Sequence, residues 1–150
     1  MVIGAFGVIG AVARKGDNRH ALEDYRGLAF RQPLLAGLLT VFLLAQAGVP
    51  LTGGFVAKLG IFKAAVDVGQ YPLALIAMLA SVVGAFVYLR IVVTMYGGIG
   101  EEGPGDRVAV DFPTRAVLTI AATAIVVLGV LPGFVLDFAR DATLLLVGAR

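Results

Sequence analysis

The sequence predicts an all-α, polytopic transmembrane helical bundle, on three observations. The chain is 59% hydrophobic and only 15% charged, where soluble domains carry roughly a quarter charged residues. Its apolar residues form long runs, and the stretch from Gln32 to Ala57 holds no charged side chain at all. No run alternates polar and apolar residues over the roughly ten positions of a barrel strand. Since only helices and closed barrels satisfy their backbone in lipid, helices remain.

The apolar stretches cover about 2–13, 33–47, 50–68, 72–96 and 113–136. The first, Val2 to Ala13, is shorter than the roughly twenty residues of a spanning helix. No basic segment precedes it, and a convincing cleavage pattern is missing, so a signal peptide fits poorly. It reads as the tail of a truncated helix, which makes residues 1–150 the C-terminal fragment of a single membrane domain. Arg14 to Gln32 is a polar connection with Arg14, Lys15, Arg19, Arg26 and Arg31 set against Asp17, Glu23 and Asp24. Its centre, "HALEDYRGL", suits a short interfacial helix.

Pro33 opens the next stretch at a first-turn position where proline is tolerated. Gly48 and Pro50 interrupt it, dividing 33–47 from 50–68. Pro72 to Tyr96 is the longest clean span and ends in the glycine-rich "YGGIGEEGPGDR". Pro113 to Leu136 is the last, broken late by Pro132-Gly133, and the tail "DFARDATLLLVGAR" is amphipathic. The expectation is about four full spans plus the truncated N-terminal helix, with one span discontinuous near Lys58. Ala77, Ser81 and Ala85 form a small-residue stripe of the kind that lets helices approach closely in lipid; the abundance of alanine accounts for it equally well.

Composition also excludes function classes. The net charge is +2 and the basic residues lie between apolar segments, so nucleic acid is a poor partner. With no cysteine in the chain, it has no disulfide, thiolate metal site or iron–sulfur cluster of its own. The single histidine, His20, lies in a polar segment away from other ligand types, as a solvated loop histidine does.

One charged residue stands apart from the span ends. In "GVPLTGGFVAKLGIF", Lys58 follows Pro50 by eight residues and precedes the end of its helix by about ten. At 1.5 Å per residue that is roughly 12 Å and 15 Å from the two edges, near the middle of a core about 30 Å thick. A central lysine costs about 2.5–3.5 kcal/mol on insertion scales. Its proton affinity depends on its surroundings, which suits it to passing protons. Pro50, Gly53 and Gly54 before it, and Gly60 after it, are breakers of the kind that interrupt helices and admit water at membrane depth. Thr52 offers a hydroxyl to water or a freed carbonyl. Lys63 lies about 8 Å from its helix end, with Asp67 four residues on as a partner, and reads as an anchor. Arg90, near the end of its span, can snorkel. No acidic residue of the chain sits at the depth of Lys58. The structural alternative is a lysine paired with a carboxylate from another helix.

The stretch "LLAQAGVPLTGGFVAKLGIFKAAV" resembles the second broken-helix region of the antiporter-like membrane subunits of respiratory complex I. Gly48, Val49, Pro50, Thr52, Gly54, Phe55 and Lys58 match that family's pattern. The upstream "EDYRGLAFRQPLLA" and downstream "YLRIVVTMYGG" resemble its subunit N branch in bacteria, while one sister subunit tends to carry glutamate where Lys58 stands. The resemblance covers essentially all of this chain but only the C-terminal part of the family.

The resemblance implies a multi-pass subunit of the bacterial plasma membrane, coupling quinone reduction to proton movement within an NADH:quinone oxidoreductase. It implies that Lys58 is a station in proton transfer, with other membrane subunits, lipid, protons and water as partners. It also implies that NADH, FMN, iron–sulfur clusters and quinone belong to other subunits, leaving no redox site in this chain. The other readings are a subunit of a multi-subunit cation/proton antiporter, or a truncated fragment without activity of its own.

Overall fold

The computed structural model describes residues 1–13, 22–97 and 110–133. Among these residues every regular element is helical. α1 is Val2–Val12, a 3-10 turn covers Leu22–Tyr25, and α2 is the short Leu28–Arg31. They are followed by α3 (Pro33–Ala47), α4 (Gly53–Asp67), α5 (Tyr71–Tyr96) and α6 (Phe112–Val130). His20, the segment 98–107 and the tail 137–150 lie outside the described residues.

The helix ends follow local chemistry. Pro33 occupies the first turn of α3, where its missing N–H is no loss. Pro132 disfavours helical geometry in the residue before it, and Leu131, at φ −119° and ψ 59°, closes α6. The helix expected from Pro50 begins three residues later, because Thr52 is extended and serves as its N-cap.

α3 is the centre of the bundle and touches α1, α2, α4, α5 and α6. Its buried residues, Leu35, Ala36, Leu38, Leu39, Phe42, Leu43 and Ala45, fill one broad face of the helix, and the opposite positions Gly37, Thr40, Val41 and Leu44 are still partly covered, as in a helix with neighbours on several sides. Phe42 is fully buried and its ring lies against Gly4, where an added Cβ would come within 2.5 Å of it. α6 presents a single stripe inward, Leu118, Ala122 and Ile125, at the spacing of one helix face.

α5 is the opposite case. Its 26 residues reach about 39 Å, enough for a 30 Å hydrocarbon core. In its most apolar 18-residue window no residue is buried, and Val83 and Phe86 are each 67% exposed. Of the four full spans expected, two described helices, α5 and α6, are long and apolar enough to cross a membrane. α3 and α4 have 15 residues each, about 22 Å, and neither crosses such a core alone.

Candidate functional site

The site is built on the end of α3. Its last turn closes as a Schellman motif, with the Val49 N–H donating to Leu44 O at 3.1 Å and the Gly48 N–H to Ala45 O at 3.2 Å. Such a closure requires a residue in the left-handed region just past the helix, and Gly48 supplies it at φ +84°. Carbonyls of the last turn have no N–H ahead of them to accept from. One of them, Ala47 O, accepts a hydrogen bond from Lys58 Nζ at 2.9 Å. Lys58 is half-buried and reaches back from α4 across eleven residues of chain to cap the helix before it. A cation is favoured there, since the helix dipole leaves its C-terminus partly negative.

The chain between the two helices is tightly arranged. Pro50 is followed by Leu51 at φ +70°, in the order of a type II turn with leucine standing where glycine is favoured. Thr52 is buried, and its Oγ1 donates to Val49 O at 2.7 Å, tying the turn to itself. The Thr52 carbonyl then accepts from the Phe55 N–H at 3.1 Å and opens α4. Gly54 is buried, and a Cβ there would run into the Ala45 carbonyl of α3. From the other side, Gly129 of α6 meets Leu51 O and Thr52 Cα so closely that it too has no room for a Cβ. Gly53 lies beside Leu128 and the Ile125 carbonyl of α6.

The structure therefore gathers Pro50, Thr52, Gly53, Gly54 and Lys58 around the last turn of α3, and leaves the other expected residues elsewhere. Gly60 lies in the body of α4, exposed, with nothing within 4 Å of a Cβ placed on it. Lys63 and Asp67 are exposed further along α4, and Arg90 is exposed on α5, where its carbonyl accepts from Thr94 Oγ1 at 2.8 Å. Gly53 and Gly54 sit where other helices come close, so their smallness serves packing as well as any backbone freedom. Sequence reasoning used Gly48 only as a helix breaker, not as the residue beneath Lys58, and assigned no role to Ala47 or Gly129. The helix end at Gly48 was read correctly, since glycine followed two residues later by proline marks a helix C-terminus. For Gly129 the signal is its place in register, four residues beyond Ile125 on the buried stripe of α6.

Two helices of membrane-crossing length and a half-buried lysine seated on the end of a short apolar helix have the make-up of a membrane protein. The chain belongs to the NADH:quinone oxidoreductase/Mrp antiporter transmembrane family, whose model matches residues 1–84. It is 40% identical over 146 residues to NADH-quinone oxidoreductase subunit N of Trichlorobacter lovleyi, covering 97% of this chain and 30% of that protein. It is 41% identical over 146 residues to subunit N 1 of Solibacter usitatus, covering 95% of this chain and 29% of the relative. With subunit N of Saccharopolyspora erythraea the identity is 43% over 139 residues, covering 92% and 27%. The chain thus spans less than a third of the length of the curated relatives it matches.

Proposed function

We propose that the chain is part of a proton-translocating membrane subunit of an NADH:quinone oxidoreductase in the bacterial plasma membrane, and that Lys58 is its proton carrier. The observation that carries the reading is the position of Lys58: a half-buried lysine whose Nζ rests on the Ala47 carbonyl, beside the break between two short helices. Helices of about 22 Å end inside a core of about 30 Å, so a break between them brings Lys58 to membrane depth. There the neutral amine of Lys58 takes a proton from water on one side. The resulting ammonium is held by Ala47 O until a shift of neighbouring charge during quinone reduction sends the proton onward, restoring the amine. NADH, flavin, iron–sulfur clusters and quinone act in other subunits, and this chain contributes no redox chemistry. Both an oxidoreductase and an antiporter stand in the family's description; relatives at about 40% identity named as oxidoreductase subunit N favour the first.

The test is Lys58→Met in the intact complex, with protons moved per electron measured in inverted vesicles alongside the rate of electron transfer. Protons per electron are expected to fall while the complex still assembles; an unchanged ratio overturns the reading. Lys58→Arg keeps the charge and much of the length but cannot readily deprotonate. It is expected to lower the ratio as well, although it can still cap α3.

A further inference from the structure

We infer that Gly48 is a positioning residue for Lys58: the absence of a side chain at Gly48 leaves the channel through which the lysine stem reaches the end of α3. The inference rests on the reading of Lys58 as proton carrier and adds a residue that acts on it. A Cβ built on Gly48 would lie 2.8 Å from Lys58 Cδ, 3.4 Å from Cε and 3.3 Å from Nζ. The stem thus lies directly over the glycine, and the ammonium comes to rest on the carbonyl of the residue before it. Gly48 meets two demands at once. Its φ of +84° closes the helix, and its bare Cα is the floor on which Lys58 lies.

The two demands make opposite predictions on substitution. Asparagine tolerates the left-handed region far better than alanine does, but both place a Cβ against the lysine stem. If Gly48 serves only the helix end, Gly48→Asn restores what Gly48→Ala loses. If it positions Lys58, the two variants are impaired alike. Gly69 provides the control. It has φ +73° and nothing within 4 Å of an added Cβ, so Gly69→Asn has the same backbone demand with no lysine beside it.

The experiment measures protons per electron and electron-transfer rate in the assembled complex for Gly48→Ala, Gly48→Asn and Gly69→Asn. The expected result is a lowered ratio in both Gly48 variants and an unchanged ratio in Gly69→Asn. Recovery of the ratio in Gly48→Asn overturns the inference, as does an equal loss in Gly69→Asn. A second measurement does not depend on any Gly48 variant assembling: amide hydrogen exchange in Lys58→Met. Losing the cap should speed exchange at Gly48 and Val49 by about two- to fivefold, the factor a cation at a helix C-terminus contributes, while amides of α5 stay as they were. Unchanged exchange at those amides means that Lys58 does not dock there and overturns the inference. A ratio lowered by Lys58→Met with both Gly48 variants normal rejects the positioning role alone; a normal ratio in Lys58→Met rejects the proton-carrier reading beneath it.

Discussion

At Lys58 two magnitudes can be set against each other. Placing a lysine deep in a bilayer costs about 2.5–3.5 kcal/mol, and a hydrogen bond to a charged group returns about 1.5–3 kcal/mol. One carbonyl, Ala47 O, therefore offsets most of the cost of the ammonium without securing it the way a buried carboxylate would. The neighbouring Leu51 is the residue where the backbone itself is strained. At φ +70° an L-residue sits in a region that costs roughly 1–2 kcal/mol, and a β-branched one fits it worse still. Leu51→Ile, which conserves every atom type, is expected to destabilise the assembled complex by about 1 kcal/mol. Leu51→Gly is expected to leave it level or slightly more stable. Thermal unfolding of the detergent-solubilised complex compares them, and equal midpoints for the two variants would show that the turn carries no such strain.

Among the elements, the break between α3 and α4 is where glycines of different kinds can be separated by experiment. Gly54 faces the Ala45 carbonyl with no space for a methyl, whereas Gly60 in the same helix has nothing within 4 Å. Gly54→Ala forces the two helices apart and is expected to cost about 1–3 kcal/mol, the range for overpacking a tight contact. Gly60→Ala removes an exposed mid-helix glycine and is expected to gain about 0.5–1 kcal/mol. The same unfolding midpoints read both. If Gly60 also serves local unwinding beside Lys58, its alanine variant stabilises the helix yet lowers protons per electron, a combination that packing does not produce. The existence and order of these helices were legible in the sequence, because Pro33, Gly48 and Pro50 punctuate a run with no charges, and proline and glycine act locally. The seat of the lysine was not. Lys58 and Ala47 are eleven residues apart on different helices, and only the fold of the turn brings the amine onto the carbonyl. The register of α6 marks Gly129 as inward-facing, but its partner, the turn at Leu51 and Thr52, was illegible for the same reason, since it lies far away in the chain.

For the whole molecule the informative surface is that of α5. Large apolar side chains cover it, and Val83 near its centre is 67% exposed. A water-soluble protein rarely leaves so large an apolar face open; a lipid-facing helix does so as a rule. Membership of a transmembrane family and a length of about 39 Å point the same way, and the consequence can be measured at one position. Val83→Lys puts a charge midway along α5, about 20 Å from either end, which is too far for the side chain to reach both an interface and its own helix position without distortion. In a translocon-insertion assay, with glycosylation sites flanking the segment, the wild-type α5 should integrate. The variant should lose about 2.5–3.5 kcal/mol of insertion free energy, roughly a hundredfold in the ratio of inserted to translocated chain. On a surface meant for water the same substitution would stay within about 0.5 kcal/mol. Equal insertion of the two segments would therefore remove α5 from the membrane, and with it the support for the depth proposed for Lys58.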